Sequence, residues 1–395
     1  MKLYHINPTV VTFLESQMRL WKTNISLQHN EGCISIDNVR VRRGIFQGDS
    51  LSPLLFCLTL DPLSKIVKDQ EIGYNLSRSR RKADSKKVSH LLFMDDLKLY
   101  SDTDANLRKL VKVVADFSKD VGMEFGLDKC SKCTLKKGRK AEGGDIDTDE
   151  GGVIRDLAQD GSYKYLGIEE NATVEHGKMR EKARKEYLSR LKKICKSNLT
   201  PKNKITAINQ LALPVVSYGF GIIDWPQCDI DRLDVKTRKV LTMNKVIDRN
   251  QCLERIYLPR REGGLGLTEL NHSFRASLVS LGQYVVCSDG EAMRLVAQQH
   301  RDTLPQSISV TKLAENFSEE PLVGTDDNGD EATQSARKTR AKYSKKVVER
   351  RSESWKTHRR AGKFYEELNK DYIDKTQSLQ RLREGSLLYL SLIHI

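Results

Sequence analysis

Apolar residues recur at helical spacing in three stretches of the chain. In residues 8–21 they fall on one face, and Pro8 stands near the start, where a helix tolerates proline. In residues 107–121 they again trace one face, and Gly122 follows at the position of a C-terminal cap. A third stripe lies in a segment rich in lysine and arginine and comprises Ala183, Tyr187, Leu191 and Ile194. These patterns predict three amphipathic helices.

Alternation of apolar and polar residues predicts strands elsewhere. The alternation in residues 25–27 resumes at 34–36 after a short glycine-containing segment, which predicts a β-hairpin. Residues 91–100 hold two short apolar runs on either side of adjacent acids, which predicts a second hairpin. Two further short strands are predicted, one resuming at 123–125 and one over 163–168 that ends at glycine.

Two segments indicate where further helices begin. Ser52 followed by Pro53 is a good cap and first-turn pair, and residues 54–58 are apolar on every side. The start of this helix is therefore expected to be buried. Residues 258–266 contain one proline and three glycines, so a loop is expected there, followed by a helix to about Val286.

Net charge narrows the possible partners. The 395 residues carry 67 lysine and arginine side chains against 53 acids, a formal net charge of +14. Such a surface concentrates polyanions, so a nucleic acid is the expected partner, although charge alone does not separate it from an anionic membrane. No apolar run is long enough to span a bilayer, and the first residues lack the apolar core of a signal peptide. A nuclear or cytoplasmic protein is expected, and its eight cysteines are expected to form no disulfides.

Adjacent acids at the centre of the second predicted hairpin are the first candidates for chemistry. Asp95 and Asp96 repel each other on an apolar support, and divalent cations remove that cost. Phosphoryl transfer uses two such ions to hold the attacking and leaving oxygens. The bland alternative is an exposed turn that happens to contain two aspartates, and for the dipeptide alone that alternative is favoured.

A second candidate block, residues 42–56, lies about fifty residues earlier. Gly44 and Gly48 allow a backbone to approach a nucleotide closely. The amide of Gln47 can hydrogen-bond, and Arg43 can pair with phosphate. The alternative interpretation is a glycine turn before a helix without a binding role. The order and spacing of the two blocks make this alternative less favoured.

Together the blocks resemble those of LINE-type (non-LTR) retrotransposon reverse transcriptases. Residues 42–56 are similar to the family's Arg-Gly-x-x-Gln-Gly and Ser-Pro block, and residues 93–96 to its aromatic-x-Asp-Asp signature. Residues 122–130 resemble the strand whose lysine, here Lys129, lies near nucleotide phosphates in the family. Tyr165-Leu166-Gly167 resembles the family's primer grip. Residues 258–267 resemble a Leu-Pro-Arg-x-Glu-Gly-Gly-x-Gly-Leu block of LINE-type elements.

The resemblance implies an α+β fold divided into several parts. Residues 1–170 would be a partial polymerase palm, an antiparallel sheet with packed helices that lacks the fingers and the first catalytic strand. Residues 171–300 would be an α-helical thumb and post-thumb region. Composition predicts a flexible acidic linker at 301–336 and a basic helical tail at 337–389. Residues 390–395 can be reverse-translated to CTGTCTCTTATACACATC, which resembles a transposase end used in sequencing libraries, and are expected to be an artefact.

The activity implied by the resemblance is RNA-directed DNA polymerisation. Deoxynucleotides would be added to a DNA 3′ end on an RNA template with Mg²⁺. Asp95 would bind metal, and Asp96 would bind it weakly or support the site. Nucleotide and template would be positioned by Arg43, Gly44, Gln47, Gly48 and Lys129. The alternative is a non-catalytic nucleic-acid-binding remnant of a retroelement, and oligomeric state is left open.

The family's third catalytic carboxylate has no match here. The resemblance places it on a strand before the helix of residues 8–21, whereas the only aspartate before Asp49 is Asp37, on a predicted hairpin strand. Removing one charge-stabilising group from such a site typically costs about a hundredfold in rate or more. We therefore expect this chain alone to be inactive or nearly so.

Two basic segments have competing interpretations. Residues 178–193 either contact nucleic-acid phosphates or form a solvated helix face. Residues 337–363 either bind template RNA, act as a nuclear signal, or form a solvated, partly helical linker.

Overall fold

Two compact units make up the chain in the computed structural model. The first comprises Met1–Thr134 and Glu142–Asp156, and the second comprises Leu135–Ala141 and Leu157–Ile395. The structure describes residues 4–29, 32–42, 44–75, 87–123, 126–148, 152–158, 161–288, 290–305, 309–318, 321–322 and 329–368. The proposed artefact at 390–395 lies outside these residues. Within the predicted linker at 301–336, residues 306–308, 319–320 and 323–328 also lie outside them.

Helices and short strand pairs alternate in the first part of the chain. The elements are α1 (Pro8–Arg19), β1 (Lys22–His29), β2 (Gly32–Arg40), α2 (Ser52–Asp69), β3 (Tyr74–Asn75), β4 (Lys87–Val88), β5 (His90–Phe93), β6 (Asp96–Leu99), α3 (Asp104–Val121), a 3-10 turn (Leu127–Lys129), β7 (Thr134–Lys136), β8 (Arg139–Ala141), β9 (Ile146–Asp147) and β10 (Val153–Ile154).

The remainder is mainly helical. The elements are β11 (Tyr163–Tyr165), β12 (Ile168–Glu170), α4 (His176–Lys196), α5 (Pro201–Ala207), a π-helical turn (Ile208–Ala212), α6 (Leu213–Ser217), α7 (Gln227–Met243), α8 (Leu253–Tyr257), a 3-10 turn (Arg260–Glu262), α9 (Leu270–Cys287), α10 (Glu291–Asp302), α11 (Val310–Ser318) and α12 (Gly329–Leu368). Sheets within the described residues are two-stranded, and five of the pairs have an antiparallel register. The α+β expectation is confirmed. None of the helices described is long and apolar enough to cross a bilayer.

The predicted amphipathic helices are present with their expected caps. The Asn7 side chain caps α1 by accepting from the Thr9 amide. Helix α3 begins after Thr103, whose hydroxyl accepts from the Asn106 amide, and ends at Gly122 with φ 74°. Its predicted face is buried through Leu110, Val111 and Val114. A left-handed cap favours glycine because glycine has no Cβ to clash.

The core of the first unit joins two helices to the second hairpin. Leu63 and Val67 of α2 meet Leu110 and Val114 of α3, and the inward residues of β6, Leu97 and Leu99, pack against them. The apolar run predicted that the start of α2 is buried throughout. In the structure only part of it is buried. Leu54 is 57% exposed while Leu55 is 7% exposed, because a helix directs consecutive side chains to different faces.

One strand prediction was wrong in detail, and another lies mostly outside the described residues. Residues 163–168 form a hairpin, because the chain reverses at Leu166 and Gly167, both with positive φ. Consecutive positive φ values match the twist of a tight two-residue hairpin turn. The predicted strand at 123–125 is not seen at Met123, which lies in coil, and residues 124–125 lie outside the described part. Lys129 is the last residue of the 3-10 turn Leu127–Lys129.

The core of the second unit is built on the predicted stripe of α4. Tyr187 and Leu191 are 2% and 0% exposed and pack with residues of α7 and α9. The Tyr187 hydroxyl hydrogen-bonds the Thr237 hydroxyl of α7 at 2.7 Å. The loop predicted at 258–266 and the helix after it are confirmed, since α9 ends at Cys287.

A carboxylate of α7 caps α9 from outside that helix. Asp234 is 4% exposed and accepts from the amides of Leu270 and Asn271, both at 2.9 Å. These amides belong to the first turn of α9, where backbone donors lack partners within the helix. Burial raises the pKa of Asp234 to about 6, against the lowering effect of the two amides.

Replacing Asp234 by alanine is expected to destabilise the second unit by about 2–4 kcal/mol, because two buried amides lose their acceptor. The raised pKa means that the folded state holds the proton more tightly than the unfolded state, so this group's stabilisation is lost as pH rises through about 6. The difference between wild type and variant should therefore shrink from pH 4.5 to pH 7 in urea unfolding. Asp231→Ala, an exposed carboxylate of α7, should cost below about 1 kcal/mol.

The basic segment 337–363 lies within one 40-residue helix whose inner face is docked. Tyr343 stacks on His272 of α9, and Trp355 is 5% exposed. Arg351 pairs with Glu269 and lies over the Tyr257 ring. A fully solvated linker is therefore excluded for this part of the helix. Burial, then the cations Arg351 and Arg340, lower the pKa of His272 to about 4, so it stacks as a neutral ring near pH 7.

Candidate active site

The two aspartates lie at the tip of the β5–β6 hairpin. Phe93 pairs with Asp96, so Met94 and Asp95 form the turn. Met94 has φ 54°, a conformation that costs energy for a residue with a side chain. Such strain is retained where the surrounding structure fixes the turn, and it is common at functional sites. Both carboxylates are exposed, and neither has a hydrogen bond or ion pair to another described residue.

Helix α2 fixes the position of this turn. The Cys57 thiol contacts the Met94 sulfur at 3.8 Å. Further along the same face of the helix, Ser64 hydrogen-bonds His90 at 2.8 Å. Helix and strand β5 thus run in opposite directions. The N-terminal end of α2, which carries the positive end of the helix dipole, lies at the same end as the aspartate turn.

The loop that leads into α2 contains the second candidate block. Gly44 and Gly48 have φ 84° and 91°, and an added Cβ would meet nothing within 4 Å, so conformation and not space requires glycine there. Gln47 is exposed. Phe46 anchors the loop by packing on Trp21, with ring centroids 4.7 Å apart. Arg43 lies outside the described residues.

Lys129 is exposed at the end of its 3-10 turn. Its neighbour Leu127 packs with Leu99 of β6 and Val111 of α3 in a second small core. The turn that carries Lys129 is therefore tied to the strand that follows Asp96. The role of Lys129 at nucleotide phosphates stays a prediction.

The segment predicted as primer grip belongs to the second unit. Tyr165 is 9% exposed, whereas Leu166 and Gly167 form the turn. The hydroxyl of Tyr218, which is 60% exposed, donates to the Leu166 carbonyl at 2.5 Å. Sequence reasoning missed Tyr218, because 52 positions separate it from Leu166 and it has no motif around it.

The basic residues of α4 fall into different environments. Lys178 and Lys182 both pair with Glu169 of β12, and these hydrogen bonds lower the pKa of that carboxyl. Arg180 donates to the Asp224 carbonyl at 2.6 Å, and Arg190 pairs with Glu186. Neither interpretation of this segment, a continuous phosphate-binding face or a solvated face, describes the whole helix.

The donor set at the turn fits a hard divalent cation. Mg²⁺ prefers oxygen ligands, and it is usually held by one or two protein carboxylates together with substrate phosphates and water. Asp95 and Asp96 supply two such carboxylates, exposed to solvent and unpaired within the described region. No group of three or more potential metal ligands occurs among the described residues.

Comparison with known protein families supports this interpretation of the turn. Residues 9–169 match the family of reverse transcriptases (RNA-dependent DNA polymerases), and that match includes the Gln47 loop, the aspartate turn, Lys129 and the Leu166 turn. The segment is a reverse-transcriptase domain.

Relatives of the chain come from R2 retrotransposable elements. A Retrovirus-related Pol polyprotein from type-1 retrotransposable element R2 of Popillia japonica is 27% identical over 280 residues, covering 69% of this chain and 43% of the relative. The polyprotein of type-2 element R2DM from Drosophila melanogaster is 26% identical over 238 residues, covering 58% of this chain and 21% of the relative. The resemblance to LINE-type reverse transcriptases is confirmed, and the chain spans less than half the length of these relatives.

Proposed function

We propose that this chain contributes palm and thumb functions to an RNA-directed DNA polymerase that extends a DNA 3′ end on an RNA template. The observation that carries the proposal is the β5–β6 turn, which presents Asp95 and Asp96 to solvent on a support fixed by α2. Two exposed, unpaired carboxylates on a strained turn contribute little to folding. They are suited to binding cations beside a substrate.

The reaction joins the primer 3′-oxygen to the α-phosphorus of a deoxynucleoside triphosphate. The bond from that phosphorus to the bridging oxygen breaks, pyrophosphate leaves, and the hydroxyl proton is released to solvent. Mg²⁺, when bound, neutralises charge on the phosphate oxygens. Asp95 would hold it directly, and Asp96 would hold it weakly or support Asp95.

The remaining site residues would position the substrates. Gly44 and Gly48 leave room for close approach of nucleotide and template, and Gln47 offers an amide. Arg43 would pair with phosphate. Lys129 would stabilise or protonate the departing pyrophosphate.

The turn at Tyr165, Leu166 and Gly167 would act as primer grip in the second unit. Its tip is fixed by the Tyr218 hydroxyl, and the Tyr218 ring lies beside Gly167, 3.5 Å from where a Cβ would stand. We further propose the division given above, with the palm at 1–170, the thumb and post-thumb region at 171–300, and a nuclear or cytoplasmic site of action.

A non-catalytic nucleic-acid binder is the second candidate. Three acids precede the Gln47 loop, Glu15, Glu31 and Asp37. None of them stands in the family's context for the third metal ligand, and this observation favours the second candidate. The genomic reading frame upstream of Met1 distinguishes the two. An in-frame aspartate strand there supports the polymerase, and a stop codon supports the remnant.

Primer extension on poly(rA)/oligo(dT) with Mg²⁺ tests the site assignment. The 395-residue chain is expected to extend the primer at most weakly, about a hundredfold below a protein with a complete carboxylate set. Asp95→Ala should reduce any extension to background, and Asp120→Ala, an exposed aspartate on α3, should leave it unchanged. Clear extension that survives Asp95→Ala contradicts the assignment.

A further inference from the structure

A cavity of about 220 Å³ lies between the first turns of α4 and α7 in the second unit. The residues of α4 that line it are Gly177, Arg180, Glu181 and Arg184, and those of α7 are Asp229, Arg232, Leu233 and Lys236. Both sets follow the spacing of a single helix face. The cavity is therefore formed by two facing helix sides, and Trp225 completes its lining.

The lining is basic. Four cationic and two acidic side chains leave a formal excess of two positive charges. Arg180 donates one hydrogen bond to the Asp224 carbonyl at 2.6 Å. This bond orients the guanidinium and leaves its other donors available. Lys236 has no ion pair or hydrogen bond to another described residue. Arg232 pairs with Asp229 at 3.4 Å and Arg184 pairs with Glu181, so the excess charge rests on Arg180 and Lys236.

Trp225 adds an independent sign of a missing acceptor. Its side chain is 5% exposed, and its indole Nε1 is buried without a hydrogen-bond partner among the described residues. A buried N–H without an acceptor costs about 1–3 kcal/mol. Trp225 lines the same cavity, where a bound anion would supply counter-charge for Arg180 and Lys236.

We infer that this cavity binds phosphate groups of a polynucleotide strand. Arginine forks recognise phosphate oxygens in pairs, and a lysine adds a point charge. The volume is below the roughly 300–1,000 Å³ of sites that enclose drug-sized ligands, so it suits one or two phosphates better than a nucleoside. The inference rests on the proposed function for a nucleic-acid partner, but it assigns a separate binding site within the helical unit.

Binding of a fluorescent single-stranded 25-nucleotide oligo(rA) to the full chain, measured by anisotropy across NaCl concentrations, tests the inference. The double variant Arg232→Gln/Lys236→Gln should bind at least tenfold more weakly at low salt. Its slope of log K against log salt should be shallower by about 1.4, since each lost single-strand phosphate contact removes about 0.7. The matched control Lys185→Gln/Lys239→Gln removes two exposed lysines from the same helices outside the cavity.

Equal loss of affinity and slope in both double variants would overturn the inference, because general charge would then explain binding. Inorganic pyrophosphate distinguishes the phosphate sources. Competition with the oligonucleotide, with a change in tryptophan fluorescence that Trp225→Phe abolishes, indicates that free phosphates also enter. Without competition, the specific loss in the cavity variant assigns the site to polynucleotide alone.

The assay contains no metal ion or deoxynucleotide, so its outcome is independent of catalysis. Asp120→Asn, on α3 away from the proposed catalytic turn, should bind oligo(rA) like the wild type. Failure of primer extension would leave the cavity result standing, and equal behaviour of the two double variants would leave the polymerase proposal standing.

Discussion

Replacing Asp95 by asparagine is expected to weaken Mn²⁺ binding by the chain at least tenfold, measured by electron paramagnetic resonance of free Mn²⁺. Asparagine keeps the size of the side chain but removes the charge that a hard divalent cation requires. Because the aspartate is exposed and its carboxylate makes no hydrogen bond or ion pair with other described residues, the fold should be unaffected. Mn²⁺ replaces Mg²⁺ as the probe because it is paramagnetic.

Asp96→Asn should weaken binding less, because Asp96 is the paired strand residue and Asp95 lies in the turn itself. Asp120→Asn removes an equal charge from the same unit, away from the hairpin, and should change the affinity less than twofold. Mn²⁺ affinity equal to that of the wild type in both Asp95→Asn and Asp96→Asn would show that the turn is not a metal site. That result would also remove the main support for the polymerase proposal.

Replacing Gly264 by alanine is expected to destabilise the second unit by about 3 kcal/mol or more. A Cβ there would lie 2.0 Å from the carbonyl oxygen of Leu258 and 2.4 Å from its carbon. Leu258 is fully buried, and the same carbonyl accepts from the Gly266 amide at 2.9 Å, so it cannot move aside. The loop is further held by the Leu265 amide on the Arg255 carbonyl at 2.7 Å.

Urea unfolding followed by tryptophan fluorescence measures this effect, since Trp225 and Trp355 belong to the second unit. Gly177→Ala is the matched control, because a Cβ there meets nothing within 4 Å and alanine is the better helix former by up to about 1 kcal/mol. A Gly264→Ala protein as stable as the wild type would mean that the loop does not pack against Leu258 as described. Loss of stability without loss of Mn²⁺ binding is the expected combination.

The candidate site illustrates how far local sequence determines structure. The hairpin around Asp95 and the glycine conformations at Gly44 and Gly48 follow from local patterns, since each depends on residues a few positions apart. The reversal at Leu166 was misread as a continuing strand, because a β-branched or aromatic run predicts extension and a two-residue turn changes little in the pattern. The buried start of α2 was overestimated because burial depends on what each helix face meets.

The pattern of apolar and polar residues could not predict contacts between segments that are far apart in the sequence. The Cys57 contact with Met94, the Tyr218 hydrogen bond to Leu166 and the Asp234 cap of α9 each join distant segments. The basic helix 329–368 is the largest case. Its composition indicated a charged helix, but only the positions of Tyr343 and Trp355 against α8, α9 and their loop decided that one face is docked.

Residue order by itself determined the resemblance to reverse transcriptases, because the glycine-glutamine loop and the aspartate turn are local motifs that can be recognised without coordinates. Tertiary structure alone decided which lysine and arginine side chains form ion pairs inside the fold and which remain available to a ligand. Lys182 of α4 pairs with Glu169, while Lys236 of α7 lines the cavity and has no ion pair with another described residue. The physical reason is that the electrostatic environment of a charge depends on neighbours in space, and side chains on one helix meet different ones.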